Sequence, residues 1–484
     1  MKDKKEKRYD KSTMSLIDNL VDSNMNGLIS DLQTLVKVPS VSAKKQGLVE
    51  CADLLADIMN KAGIKAEVLY LDHDGTENDN TKNIVSNTVP PIVYGEVKSK
   101  ANPDGKTILF YNHYDVQPED PIELWDKDPF SGHIEGNYIF GRGAADDKGE
   151  LITRIKAVEY YLKAIGDVPC NVKYIVEGEE EIGSENLERY LIHYKNKIGR
   201  CDGVIWESGI VDENGTAVLE LGVKGILSVE LLSKGPVRDA HSSLAVLIEN
   251  PAWHLVRALN TLLDTSRKIL IKDWDNEAKD FSSEEIAAIL KEPPFNEEEF
   301  KKEYGIEKFA NNFKNVEDRK KALVGMPTCN IAGLLSGYTG KGAKTVLPAT
   351  AMAKLDFRLI PEMMPELQFE RLHKHLREQG FSEDIIELKF IDGVPASRTP
   401  INHPFVKLVE ESAKEIFGNA IVSVSSAGTG PMYYFDRLLG APSVCVGGPY
   451  KYCRAHSPNE FTRIDLLGKT TKCIGSIIEK MNKW

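Results

Sequence analysis

Residues 107–115 read TILFYNHYD, residues 141–165 read GRGAADDKGELITRIKAVEYYLKAI, and residues 171–181 read NVKYIVEGEEE. The first opens on TILFY, a short apolar run of strand type. In the second, Leu151, Ile152, Ile155, Val158, Leu162 and Ile165 recur at helical spacing. The third begins with a further strand, Asn171–Val176, and Gly203–Trp206 (GVIW) reads as another. Strands alternating with helices predict an α/β fold, with a mainly parallel mixed sheet and helices on both of its faces. Sheets of this kind bind their ligands beyond the carboxyl ends of the strands. The histidines and carboxylates of this span fall at those ends.

Upstream, Asn24 to Val36 forms a short amphipathic stretch that stops at Pro39. Downstream the pattern changes. Gly225–Leu232 reads as a strand, Ala252–Leu263 as a helix, Asp275–Leu323 as a Lys/Glu-rich helical stretch, and Thr350–Leu359 as an alternating strand. The α/β pattern then returns with a helix at Phe405–Phe417 and strands at Ala420–Ser425 and Ser443–Val446. A chain of 484 residues exceeds what one core organises, since cores stop growing near roughly 250–300 residues. The expected division is a discontinuous first domain, 1–218 and 395–484, with an α+β domain, 219–394, inserted into it.

Composition narrows the classes. Apolar residues make up 42% and charged residues 28% of the chain, ordinary for a globular protein. The formal charge of −12 repels a phosphate backbone, and no basic stripe with interleaved aromatics compensates, so nucleic acid is not expected as a partner. The opening MKDKKEKRYDKS lacks the apolar core of a signal peptide. No apolar run approaches the roughly 20 residues of a membrane-spanning helix. Seven scattered cysteines without a CxxC pair suggest neither a disulfide framework nor a cysteine zinc knuckle. These features predict a cytoplasmic protein with no membrane partner.

Five clusters carry potential chemistry. In His113-Tyr114-Asp115, residues two apart in an extended segment point the same way. Asp115 can then fix one ring nitrogen of His113 while the other binds a metal. The glycines of Gly141-Arg142-Gly143 precede the Asp146-Asp147 pair at a helix start. Glu177, Glu179, Glu180 and Glu181 crowd a strand end, where like charges raise one another's proton affinity unless a cation intervenes. Glu207 follows GVIW, with Asp202 and Asp212 nearby, and His456 lies in RAHSPNE. Taken singly, each also fits a solvated strand end, a helix cap or an exposed acidic helix start. Two histidines and three carboxylates in one α/β frame suit zinc, which accepts nitrogen and oxygen donors. A bridging carboxylate holds two cations about 3.5–4 Å apart in two-metal hydrolases.

HYDVQP, GRGAADDKG, EGEEEIGSE and AHSPNE resemble the signature segments of the M20 family of dinuclear zinc peptidases, from about residue 30 to the C-terminus. DVQP and WDKDPF (Trp125–Phe130) lean toward its carnosinase-type dipeptidases. The resemblance implies a zinc-peptidase catalytic domain with an inserted lid and dimerisation domain. It implies two zinc ions per subunit, with manganese or cobalt possible, held by His113, Asp146, Glu181, Glu207 and His456, Asp146 bridging them across a cis peptide to Asp147. Asp115 then orients His113, and Glu180 is general base and acid. His241, in Asp239-Ala240-His241-Ser242, resembles the lid-domain histidine that reaches a partner's active site in dimeric members and polarises the scissile carbonyl. Arg358, in Asp356-Phe357-Arg358, resembles an arginine gripping a substrate carboxylate. Gly428 and Thr429 resemble a loop that holds the same group. Outside the resemblance, His241 reads as a loop histidine, Arg358 as the partner of a structural acid, and the Gly/Thr/Pro segment as a turn.

The expectation is a homodimeric, metal-dependent exopeptidase acting on short peptides, most of all a dipeptidase. An N-acyl-amino-acid amidohydrolase uses the same metals with a different pocket. A third reading is a metal-binding scaffold that has lost catalysis, against which the intact ligand set and Glu180 argue. Gly337–Thr345 resembles a phosphate loop but has Ala343 between its last Gly and Lys344, and VLPAT follows where a helix is needed. No GxSxG elbow or HExxH helix is present.

Overall fold

The computed structural model describes residues 11–71, 89–292, 296–311 and 313–484. These form two compact units. The first takes the described residues within Met1–Gly222, Thr399–Ser423 and Tyr434–Trp484, and the second those within Val223–Arg398 with Val424–Tyr433. Val424–Tyr433 packs with the second unit because its backbone is tied there, Lys224 N–H donating to the Gly428 carbonyl at 2.8 Å.

In the first unit, strands β1 (Lys65–Leu69), β2 (Ile92–Val97), β3 (Thr107–His113), β4 (Asn171–Glu177), β5 (Gly203–Trp206), β6 (Ala217–Glu220), β7 (Ala420–Ser423) and β8 (Ser443–Cys445) build one mixed sheet. Their order is β1-β2-β4-β3-β5-β8-β6-β7, with the short strand Ile210–Val211 beside β6. The central run β4-β3-β5-β8 is parallel, as is β6-β7. β1-β2, β2-β4 and β8-β6 are antiparallel. β3 is buried at every position after Thr107, which is why its apolar residues run on without alternation.

Helix α1 (Lys148–Ile165) ends on Gly166, whose φ of 67° supplies the left-handed cap. It packs against β3 and against helices Lys11–Ser23, Met25–Val36 and Ile464–Met481. Every residue from Lys148 to Tyr161 is buried, charged ones included. The predicted apolar stripe is therefore only part of its inward surface, because neighbours enclose the helix.

The second unit holds a four-stranded antiparallel sheet in the order Asn330–Ser336, Thr350–Leu359, Gly225–Lys234, Ile386–Val394. Gly225–Lys234 alternates in burial, as a sheet with one packed face requires. Leu227, Val229, Leu231, Trp274 and Phe357 lie in its core. The predicted helical stretch Asp275–Leu323 is instead three helices, Ser283–Lys291, Glu297–Tyr304 and Val316–Gly325. Ser282, Asn296 and Asn315 each cap one with a side-chain oxygen, so each starts separately. No helix among the described residues is long and apolar enough to cross a membrane.

Candidate metal centre

The parallel strands deliver their ends to one place. β3 stops at His113, in register with Glu177, the last residue of β4. Glu180 and Glu181 follow at once in a short 3-10 turn, and Glu207 follows β5 directly. Asp146 precedes α1, and the loop after β8 brings in His456.

Asp146 lies at the middle. Its Oδ1 is 3.1 Å from His113 Nε2, and its Oδ2 is 3.0 Å from His456 Nε2. Each imidazole nitrogen has a second carboxylate beside it. Glu207 Oε2 is 3.0 Å from His113 Nε2, and Glu181 Oε2 is 3.1 Å from His456 Nε2. The result is two triads, His113–Asp146–Glu207 and His456–Asp146–Glu181, that share one carboxylate. Glu180 reaches the same cluster, offering an oxygen within 4.8 Å of ligand atoms of His113 and Glu207.

These donors fit two metal ions. Ligands about 2.0–2.1 Å from a tetrahedral zinc stand roughly 3.3 Å apart, close to the spacings found. Glu207 Oε2 is buried and, although 3.0 Å from His113 Nε2, makes no hydrogen bond of good geometry among the described residues. A buried acceptor left so incurs a desolvation cost of about 1–3 kcal/mol, which a cation there removes.

The electrostatics point the same way. Burial, then the charge of Glu207, carries the Glu180 carboxyl well above its usual range. Burial likewise raises Glu207. Burial opposes protonation of His113, but Glu207, Asp115 and Asp146 outweigh it and raise the imidazole. Hydrogen bonds to Asp146 and Glu181 push His456 up to about 10. Crowded carboxylates thus draw positive charge onto whatever can carry it.

The supports around the triads are specific. His113 Nδ1 lies 3.0 Å from the Asp115 carbonyl and 3.4 Å from its carboxylate Oδ1. The two carboxylate oxygens of Asp115 accept instead from the N–H groups of Glu180 and Glu181, at 3.2 and 3.1 Å. Asp115, fully buried, therefore ties the His113 strand to the glutamate turn. Gln117 donates to both carboxylate oxygens of Glu181, from its backbone N–H and its side-chain amide. Glu460 accepts from buried Arg142 at 2.8 Å and from the N–H groups of Gly143, Ala145 and Asp146. The Asp146–Asp147 peptide is cis, and His456 has a φ of 58°, in the left-handed region that few non-glycine residues adopt. Gly178 is required by space, because a Cβ there would lie 2.3 Å from Tyr114 Oη.

Of the other carboxylates near Glu207, Asp202 sits at the opposite end of β5, bonded to Lys106 and the Thr107 N–H. Asp212 is occupied by turn N–H groups of Asn214 and Thr216. Glu207 is the one beside His113.

His241, Arg358, Gly428 and Thr429 belong to the second unit. His241 is exposed on the short strand Ala240–His241, its Nδ1 2.8 Å from Ser243 Oγ. Arg358, at the end of Thr350–Leu359, donates to Thr429 Oγ1, which places the guanidinium on the Gly428–Thr429 loop. Asp147, Gln117, Arg142 and Glu460 escaped the sequence reading as working residues. Their signal was adjacency alone, each lying inside a quoted motif.

Residues 109–480 match the profile described as peptidase family M20/M25/M40. The Cys-Gly metallodipeptidase dug1 of Schizosaccharomyces pombe is 30% identical over 75% of this chain and 75% of its own. The Beta-Ala-His dipeptidase of Mus musculus is 27% identical over 88% and 87%. Among solved structures, the M20 family metallo-carboxypeptidase Sso-CP2 from Sulfolobus solfataricus is 38% identical, with a TM-score of 0.83 over 94% of this chain and 99% of its own. With a family match spanning most of its length, and the paired triads within it, this chain belongs to the M20/M25/M40 peptidases.

Proposed function

We propose that the protein is a metal-dependent exopeptidase that hydrolyses short peptides, foremost dipeptides. The observation that carries this reading is the Asp146 carboxylate, whose two oxygens face two different imidazoles, each joined by its own glutamate. His113, Asp146 and Glu207 hold one divalent ion, and His456, Asp146 and Glu181 the other. Zinc suits the donors, and oxygen-rich sites also accept manganese or cobalt. Such a pair of ions supplies Lewis acidity and a water that ionises near neutral pH.

The chain's own groups do the rest. Glu180, left out of both triads, takes the proton of the attacking water at its carboxylate. It then hands that proton to the departing amine nitrogen. A carboxylate within reach of the cluster suits a group that must take a proton and hold it between the two steps. Asp115 keeps His113 and the glutamate turn in place. His241 polarises the scissile carbonyl. Arg358, with Gly428 and Thr429, grips the peptide's terminal carboxylate through the guanidinium fork.

The relatives support dipeptide cleavage, and the 38% identical metallo-carboxypeptidase supports removal of C-terminal residues from longer peptides. Both use a free carboxylate next to the scissile bond. A turnover screen of dipeptides, tripeptides, longer peptides and N-acetyl- or N-succinyl-amino acids, run with zinc, manganese and cobalt, separates them. Dipeptides are expected to lead. Acyl-amino acids leading would make the protein a deacylase, and no chelator-sensitive turnover at all would make it a scaffold.

We further infer a cytoplasmic homodimer formed through the second unit. The edge strand Asn330–Ser336 exposes Ile331, Leu334 and Leu335. An open, apolar sheet edge is a template for pairing.

A further inference from the structure

Arg154 has no place in the chemistry above, yet it is completely buried. Its guanidinium makes four hydrogen bonds. Nη1 donates to the Tyr111 carbonyl and to Asn112 Oδ1, both at 2.6 Å. Nη2 donates to the Trp206 carbonyl at 2.9 Å and to Glu150 Oε2 at 3.1 Å. These partners lie on three elements: β3, β5 and α1 itself.

The location matters more than the number. β3 and β5 pair in register from Ile108 with Gly203 to Phe110 with Ile205, and no further. The next residue on each strand, Tyr111 and Trp206, gives its carbonyl to Arg154. The guanidinium thus bridges the strands where their ladder ends, just before His113 on one and Glu207 on the other. It also reaches the third member of that triad. Asn112, its Oδ1 engaged by Arg154, donates from Nδ2 to Asp147 Oδ2 at 2.6 Å, and the His113 N–H donates to the same oxygen at 3.1 Å. Asp147 is the residue bonded to Asp146. Glu150, whose other oxygen accepts from the Gly448 N–H at 3.2 Å, completes the clamp from α1.

We infer that Arg154 is the positioning residue of the His113–Asp146–Glu207 metal site, setting the mutual distances of its three ligands from behind. The inference rests on the proposal that the triads bind metal. Its chemistry requires arginine. One planar fork must serve two parallel strands, an amide and a carboxylate at fixed angles, and the compact ammonium of lysine cannot span them. The second triad, His456–Asp146–Glu181, shares only Asp146 with this clamp. Groups that orient metal ligands are worth 10–100-fold in metal affinity.

The test measures metal binding directly, by calorimetric titration and elemental analysis of the metal-free protein reloaded with zinc. The set is wild type, Arg154→Lys, the pair Arg154→Met/Glu150→Gln, which avoids an unpaired buried carboxylate, and Asn112→Ser, which leaves the strand bridge intact. Cooperative thermal unfolding establishes that each variant is folded. Wild type is expected to take up two zinc ions per chain. Both Arg154 variants are expected to lose 10–100-fold in affinity at one site and to keep the other, and Asn112→Ser to show the same loss in smaller degree. In a His456→Ala background, which leaves only the His113 triad whole, Arg154→Lys is expected to remove the remaining tight site. Two unaltered sites in a folded Arg154 variant overturn the inference, and so does equal weakening of both, which signals general loosening. Should the Arg154 variants not fold, Asn112→Ser decides by the same criterion. A wild type that binds no metal overturns the metal reading itself, a result separate from these.

Discussion

At the residue scale, the proposed metal residues could be picked from the sequence because each lies in a motif with fixed neighbours, and the structure gathers their five side chains. Glu207 was the exception, and the structure separates it from Asp202 and Asp212 by direction: one lies at the far end of β5, the other in a turn. The buried supports were not legible. Arg154 and Glu150 sit four apart in a helix whose periodic signal comes from its apolar residues alone, and burial on every side is invisible to a pattern that looks for one wet face. Glu180 gives the sharpest prediction. Glu180→Gln keeps the shape, loses the proton acceptor, and is expected to lower kcat by about 10²–10⁴-fold with metal content unchanged. Steady-state kinetics beside elemental analysis checks both halves, and full activity with both metals bound sinks the assignment. Asp115→Ala removes two acceptors from the glutamate turn as well as the group behind His113. Metal affinity is expected to fall by 10–100-fold, read by competition with a chelator.

At the scale of elements, strands and helices with strong apolar patterns were found where expected, while the amphipathic middle of the chain was not resolved into its parts. Three helix starts in 275–323 depend on Ser282, Asn296 and Asn315, which a charge-dominated reading passes over. Strand Asn330–Ser336 has little burial to impose a period of two, so its pattern was silent. The loop that carries Asp146 is held by the buried Arg142–Glu460 pair, both at 1% exposure or less. Removing one partner of a buried pair strands the other charge, at a cost of about 3–5 kcal/mol. Arg142→Leu is therefore expected to lower unfolding free energy by that amount, measured by denaturant titration of the metal-free protein. A change below about 1 kcal/mol would show that the loop holds itself.

At the scale of the whole molecule, the change in pattern along the chain suggested a division at 219–394, while the contact-defined second unit is Val223–Arg398 with Val424–Tyr433, a return that no sequence pattern signalled. Among the bonds that tie it there are Lys224 N–H to the Gly428 carbonyl and Arg358 to Thr429, residues far apart in sequence. Metal removal is the global test. A ligand that binds only the folded state stabilises it by about 4 kcal/mol at a thousandfold excess over its Kd. Chelation is expected to lower Tm and abolish turnover together, both restored by zinc. Light scattering tests the dimer: two chains per particle are expected, and Leu334→Lys with Leu335→Glu on the exposed edge is expected to yield monomers.

The centre also fixes an order of events during synthesis. His113, Asp146, Glu181 and Glu207 leave the ribosome early, then the whole second unit, and only afterwards His456 and Glu460. Glu460 lies 314 positions from the Asp146 N–H it accepts. A nascent chain that has passed Glu207 already owns the His113 triad, but the loop bearing Asp146 lacks its anchor and the other triad lacks its histidine. On the proposed metal reading, a two-metal centre is complete only once the late segment returns to a sheet begun hundreds of residues before, and a chain ending short of His456 is expected to lack the second triad.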